Sequence, residues 1–276
     1  MAALTTERLG DAVGAQVLGV DHDRLLDDPE LPALIHDALE EHGALVFRGL
    51  HLDDTTQVAF SKRLGSVETS PRSDPPEIFR VTLDPAKNPS AAYLRGTFDW
   101  HIDGMTDDIP IMATILSAHA VAATGGETEF ASSYAAYEDL SDDQKAYCEA
   151  QRVVHTFEAA QRLSNDDPTP EELARWRQRP SKEHPLVWHH QSGRKSLVLG
   201  ATADHVVGFD PDESKALLAD LLDRSTAPER IYRHEWAVGD TVIWDNRGVL
   251  HRACRYDPTS ARDMHRCTLA GDEPVK

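Results

Sequence analysis

His101 and Asp103 stand one residue apart in the stretch FDWHIDGMTDD, Phe98 to Asp108. On a β-strand, residues two apart point to the same face, so an imidazole and a carboxylate aim together. Two such ligands hold a metal weakly, and a third has to come from elsewhere. The best candidate is His251, at the end of the alternating run TVIWDNRGVLH, where a strand would finish at a barrel mouth. It lies 251 − 103 = 148 residues beyond Asp103, so only the fold can unite the three. Two histidines and one carboxylate on one face of an octahedral ion leave positions open for cosubstrate and dioxygen, the ligand pattern of non-haem Fe(II) oxygenases. Zinc hydrolases use the same residue types, so the three ligands by themselves do not fix the metal.

Arg262 follows His251 by eleven residues and Arg266 comes four later, both in ARDMHRCTLAG. Even offsets put the two on one face of a strand. Arginine forks grip carboxylates bidentately, so two of them near a metal ask for two small acids or one dianion. Thr128, in GGETEF, offers a hydroxyl to one of those carboxylates. A lone His-x-Asp usually reads as a solvated polar loop; His251 and the arginine pair reverse that reading here. His265 lies between the arginines in sequence and should point to the opposite face, in a structural role. His184, His189 and His190 cluster in a hairpin and read as packing or surface groups. His119 and His155 have no partner in sequence. Trp244, Asp245 and Asn246 read as a strand end fixed by a side-chain turn. Trp100 suits either pocket lining or packing.

The elements that must position these residues are short. GAQVLGV reads as a strand, PELPALIHDALEEHG (Pro29 to Gly43) as an amphipathic helix, and ALVFRG as a buried strand. DDTTQVAFSKRLG (Asp53 to Gly65) is a second helix, with Asp54 as the predicted cap and Gln57 at the capping-box position. EIFRVTL, IMATILSAHAV and GGETEFAS read as strands, with DPAKNPSAAYLRG as a loop between the first two. LSDDQKAYCEAQRVV (Leu140 to Val154) is a helix with a capping box at Ser141 and Gln144. Residues 161–183 are polar, charged and broken by prolines, which predicts a mobile insertion or lid over about 155–185. HPLVWHH and SLVLG form a hairpin, Asp210 to Ser225 a capped helix, and Arg230 to Ala253 alternating strands. Two early helices, many short strands and a few inserted helices make this a mainly β chain with helical decoration, a β-sandwich or jelly roll.

The 276 residues suit one large domain or two small ones, with ample core. Net charge is 28 − 47 = −19 with histidine neutral, which repels phosphate backbones and argues against a nucleic-acid partner. No apolar run is long enough to cross a bilayer, and MAALTTERLGDAVGAQ has no signal-type apolar core, so no membrane partner is expected. The three cysteines, Cys148, Cys254 and Cys267, form no CxxC pair and no even set, which fits a reducing cytoplasm.

WHID, GGETEF, EHPLV, WDNRGVLHRA and RDMHRCTLAGD, in this order and spacing, resemble the taurine dioxygenase/2,4-dichlorophenoxyacetate dioxygenase (TauD/TfdA-like) family across nearly the whole chain. The resemblance implies a single domain, residues 1–276, with a double-stranded β-helix (cupin-like jelly-roll) core. It implies Fe(II) on His101, Asp103 and His251, with 2-oxoglutarate and O2 as cosubstrates. By the same match Arg262 with Thr128 would bind the distal carboxylate of 2-oxoglutarate, and Arg266 would face the anionic group of the substrate. The implied reaction hydroxylates a small anionic organic substrate (a carboxylate, sulfate ester or sulfonate) and releases succinate and CO2. A hydroxyl placed next to a heteroatom would cleave the substrate. Desaturation or rearrangement in secondary metabolism uses the same chemistry, and a non-catalytic acid-binding protein would use the same fold. Asp103, a carboxylate where a small residue would leave room for halide, argues against halogenation. The stretch GSVETSPRS lacks the histidine that taurine-type members use for sulfonate, which leaves Arg72 as a stand-in and argues against taurine. Gly104 and Met105 lie where contacts to substrate are expected. The resemblance also suggests a homodimer or homotetramer.

Overall fold

Short apolar runs, each too short to bury itself alone, are gathered into facing sheets in the computed structural model, which describes residues 4–276. Met1, Ala2 and Ala3, the start of the stretch read for a leader, lie outside them. The chain begins with strands β1 (Thr5–Arg8) and β2 (Ala15–Leu18), helices α1 (His22–Asp27) and α2 (Leu31–His42), strand β3 (Ala44–Phe47) and helix α3 (Asp54–Leu64). Then come β4 (Phe79–Val81), a 3-10 helix over Ala91–Phe98, β5 (Ala113–Ala120) and β6 (Thr128–Ser132). The middle holds α4 (Ser133–Glu138), α5 (Asp142–Glu149), β7 (Arg152–His155), α6 (Phe157–Arg162), α7 (Pro170–Trp176), β8 (Lys182–Pro185), β9 (Val187–His189), β10 (Lys195–Leu197) and β11 (Ala203–Val206). The chain closes with α8 (Pro211–Ser225), β12 (Ile231–His234), β13 (Thr241–Asp245), β14 (Val249–Ala253) and β15 (Asp263–Leu269).

A seven-stranded sheet runs in the order β1-β2-β3-β13-β5-β15-β4, and a three-stranded sheet, β12-β6-β14, faces it. The order mixes early and late strands, as a jelly roll requires. Period-two alternation sorts the side chains of the large sheet. Leu116, Val242, Trp244 and Met264 point inward and meet Phe130, Tyr232 and Val249 of the small sheet. Ile115, Ile243, Cys267 and Leu269 point outward, where Ile35 and Leu39 of α2 and Phe60 and Leu64 of α3 cover them. Burying each of these Ile and Leu side chains is worth about 1.5–3 kcal/mol. A third core lies behind the small sheet, where Trp188, Leu218, Leu221 and Leu250 pack together. No helix among the described residues is long and apolar enough to cross a membrane.

Four local expectations are corrected. The cap of α3 is Asp53, whose side chain accepts from Thr56 N, and not Asp54. Gln57 leaves the capping box: it is fully buried and donates to the carbonyls of Ile115 and His265, tying α3 to β5 and β15. The helix from Leu140 stops early. α5 has the predicted Ser141–Gln144 capping box but ends at Glu149, and Arg152–His155 becomes β7, held between β8 and β11. The proline-rich stretch before His101 is not all loop, because Ala91–Phe98 winds as a 3-10 helix. Inside 161–183, Thr169 and Glu172 form a reciprocal capping box that starts α7, and Trp176 anchors it by burial.

Candidate active site

One short bridge closes the sequence gap between the histidines. His101 N donates to His251 O at 3.0 Å and His251 N donates to His101 O at 2.9 Å, so His101 sits as a one-residue strand on the edge of β14. Directly paired residues project to the same face, and the two rings lie 4.2 Å apart, centroid to centroid. Asp103 follows two residues on. Its Oδ1 is 3.8 Å from His101 Nε2 and its Oδ2 is 3.7 Å from His251 Nε2. His101 Nδ1 bonds the Asp99 carbonyl at 2.8 Å. A carbonyl only accepts, so Nδ1 carries the proton and Nε2 keeps its lone pair for the Asp103 side.

Burial pushes the His251 imidazole down to about 3, with His101 adding to the shift, so the ring is neutral and able to ligate. Burial alone would raise Asp103. Arg266 first, then His251, His101 and the Thr114 hydroxyl, outweigh it and hold the carboxyl at about 2. Two imidazole nitrogens and one ionised carboxylate, converging from one side, fit a divalent ion that takes mixed nitrogen and oxygen ligands. Behind the carboxylate runs a chain of hydrogen bonds. Trp244 Nε1 donates to Asn246 Oδ1 (3.1 Å), Asn246 Nδ2 to Thr114 Oγ1 (2.9 Å), and Thr114 Oγ1 to Asp103 Oδ2 (3.3 Å). The turn residues Trp244 and Asn246 therefore also orient Asp103. Thr114 carried no mark in the sequence beyond its inward position on β5.

The open side of the three ligands faces a cleft enclosing about 520 Å³ of space, including the part open to solvent. Its walls are largely apolar: Val81, Leu94, Leu116, Trp244 and Ala253. Arg262 enters it buried, with its guanidinium 4.8 Å from the centre of the Tyr256 ring. Among the described residues it has no carboxylate partner. Gly126 passes beneath: its φ is +81°, and a Cβ there would lie 3.1 Å from Arg262 Cδ and Nε. Thr128 lines the same end and accepts from Trp236 Nε1 at 3.0 Å. That bond uses an oxygen lone pair and leaves the Thr128 hydroxyl proton to donate elsewhere. Arg266 also lines the cleft. It stacks over Phe79 at 5.0 Å and brings Nη1 to 3.5 Å from Asp103 Oδ2. Tyr256 and Trp236 had no sequence signal, because both sit in segments whose course depends on the fold.

Other predicted residues lie elsewhere. Gly104 adopts φ +84° in a tight turn closed by Asp107 N donating to Gly104 O at 2.9 Å, which folds the backbone away from the cleft. Met105 is consequently buried in the core behind the small sheet, with Trp100, Ile102 and Trp188. Arg72 is exposed on the turn from Ser70 to Ser73 and lines a neighbouring hollow with Phe79 and Lys87. Trp100 packs, with Arg252 over its ring at 4.6 Å. His184, His189 and His190 stand outside the cleft, and His190 is held between Glu273 and Ser196.

Comparison with known proteins accounts for this architecture. Residues 5–268 match the family described as "Taurine catabolism dioxygenase TauD, TfdA family". An alpha-ketoglutarate-dependent 2,4-dichlorophenoxyacetate dioxygenase of Burkholderia sp. (strain RASC) is 35% identical over 259 residues, 87% of this chain and 86% of the relative. An alkylsulfatase of Acinetobacter baylyi (strain ATCC 33305 / BD413 / ADP1) is 35% identical over 279 residues, 98% of this chain and 86% of the relative. The solved structure of AAD-2 with Mn(II) and N-oxalylglycine superposes with a TM-score of 0.85 at 32% identity, covering 100% of both chains. The chain belongs to the TauD/TfdA family and is an Fe(II)- and 2-oxoglutarate-dependent dioxygenase.

Proposed function

We propose that His101, Asp103 and His251 hold the Fe(II), that Arg262 and Thr128 hold the distal carboxylate of 2-oxoglutarate, and that Arg266 receives the anionic head of a small organic substrate. The observation that carries the reading is the Arg262 guanidinium, buried at the end of the cleft and unmatched by any acid among the described residues. A buried cation without a counter-ion is expensive, so the site asks for an anion from outside. Tyr256 stacks on the guanidinium and fixes its plane, while the free Thr128 proton supplies a second donor.

Bound Fe(II), with 2-oxoglutarate and O2, supplies the oxidation of a substrate C–H bond and leaves succinate and CO2. The chain's own part is placement. Asn246 and Thr114 fix the Asp103 carboxylate, and Asp99 fixes the His101 tautomer. Leu94, Leu116, Val81 and Phe79 favour an apolar or aromatic body behind the acidic head. Phenoxy acids and alkyl sulfates, the substrates in the relatives' names, both have that shape. Segment 155–185 acts as a cover for the cleft wall: α6 packs on the 3-10 helix, where Phe157 meets Tyr93 at 5.7 Å, and α7 packs on α6. The three cysteines are all free, which supports a reducing, cytoplasmic setting.

Anaerobic addition of Fe(II) and then 2-oxoglutarate tests the site. A metal-to-ligand charge-transfer band in the visible is expected, and its absence would reject the ligand assignment. Succinate release measured across aryloxy acids, alkyl sulfates and sulfonates then ranks substrates. A best substrate with no anionic group would overturn the role given to Arg266.

A further inference from the structure

On the outer face of the large sheet, away from the cleft, Asp54, His119 and His265 bring one ligand atom each within 4.8 Å of one another. The sequence separates them widely, but the register unites them. His265 pairs with Ser117 on the neighbouring strand, so His119 lies diagonally across from it on the same outward face, and the start of α3 passes over both. The two imidazoles stack, 3.7 Å between centroids and 19° between planes. His265 Nδ1 is hydrogen-bonded to Asp54 Oδ1. Two further facts point to a missing occupant. His119 Nε2 is buried and has no hydrogen-bond partner among the described residues; His265 Nε2 has none either, with Asp263 Oδ1 3.7 Å away. Burying a ring nitrogen without a partner is costly, so a polar species should reach them.

We propose that Asp54, His119 and His265 form a second metal site, one that takes a zinc-type divalent cation joining α3 to the sheet. The donor types suit zinc: two imidazole nitrogens and one carboxylate oxygen, with a water to complete a four-coordinate shell covered by α3. In tetrahedral zinc the donor atoms stand about 3.4 Å apart, from metal–nitrogen distances of about 2.0–2.1 Å. Closing the remaining gap requires rotation of His119 and Asp54, which are both partly exposed, with the ion replacing the Asp54–His265 hydrogen bond. Burial, and the neighbouring His265, keep the His119 ring unprotonated, so its lone pair is available. The positive end of α3 and the Arg80 guanidinium disfavour a cation. Asp54 offsets the first, and Asp263 pairs with the second. The ion would join α3 to β5 and β15, beside the buried Gln57 that already does so.

The test removes the first site to read the second. His101→Ala protein is equilibrated with Zn²⁺, desalted and assayed for metal by mass spectrometry, beside His101→Ala/His119→Gln. One zinc per chain in the single variant and less than about a fifth of that in the double variant is expected. No retained zinc in the single variant, or equal zinc in both, overturns the proposal. Wild-type protein provides the check that does not depend on the variants folding. Loaded anaerobically with Fe(II) and 2-oxoglutarate and then with Zn²⁺, it should hold two metal ions in total, and a total of one overturns the site.

Discussion

On the cleft side of β5 and β15, Thr114 and Arg266 reach Asp103; on the helix side of the same two strands, Gln57 reaches Ser117 and the His265 carbonyl, and Asp54 the His265 ring. Both sides gather two histidines and an aspartate. They differ in what surrounds the donors. The inner group opens on a cleft and is flanked by two arginines, one of them buried without an acid. The outer group is roofed by α3, and none of its three residues lines that cleft. A metal held beside a cleft and unmatched cations can take up an acidic cosubstrate and react, while one covered by a helix and away from those cations is suited to fastening elements together. Donor type is thus shared between the two faces, and the space and charge around the donors separate catalysis from support.

Substitutions on the inner face should strike activity hardest. His101→Ala removes one of the three proposed ligands. Its expected loss of 2-oxoglutarate turnover exceeds the 10–100-fold typical of an outer-shell partner, with a thermal midpoint close to wild type. Measured succinate within tenfold of wild type would break the contrast between the faces. Arg262→Met comes next. It keeps most of the volume but removes the charge proposed to answer the cosubstrate carboxylate. Loss of one partner of a buried charge pair costs about 2–5 kcal/mol, so KM for 2-oxoglutarate should rise at least about thirtyfold. KM for the primary substrate should move far less. Thr114→Val keeps the shape but breaks the chain that orients Asp103. Fe(II) affinity, read by anaerobic titration, should fall about 10–100-fold. An unchanged affinity would show that the Trp244–Asn246–Thr114 chain does not position the ligand.

Much of the inner face was legible in the sequence because short spacing keeps its groups together. His101 bridges to β14 and Asp103 lies in the turn just after it, while Arg262 immediately precedes β15 and Arg266 lies on it, so both pairs reach one cleft although neither sits wholly on a strand as parity alone would have it. The expectation failed where the chain turns. The left-handed Gly104 reverses the backbone, so Met105, adjacent to the ligands in sequence, is buried in a different core. Arg72 was assigned by position in a loop, and loop position does not set direction. The outer face was hardly legible. His119 looked partnerless because its partner is 265 − 119 = 146 residues away, and only the β5–β15 register brings them together. Gln57 shows the same limit more sharply. Its spacing from Asp54 matched a capping box, a local use, yet a buried strand pair with open carbonyls competed for its amide and won.

Gln57→Leu offers the finest test of the contrast, because it alters the sheet that carries Arg266 without touching the cleft. The side chain is fully buried, so leucine loses no apolar burial. What it loses is the amide that donates to Ile115 O at 3.3 Å and to His265 O at 2.9 Å and accepts from Ser117 Oγ. Both carbonyls belong to strands whose other bonds lie in the sheet, so they fall short by one donor each, and the Ser117 hydroxyl loses an acceptor. Buried polar groups left unmatched cost about 1–3 kcal/mol, and leucine regains part of that by apolar contact with the α2–α3 core. A net loss of about 1–2 kcal/mol in urea unfolding is therefore expected, with kcat and KM for 2-oxoglutarate within about twofold of wild type. If turnover fell in step with stability, the two faces would be one mechanical unit, and the β5–β15 pair would transmit strain from α3 to Arg266. If stability held and turnover fell, the outer face would have a part in the reaction. Loss of stability alone would mean that this sheet separates the two uses of the same donor types.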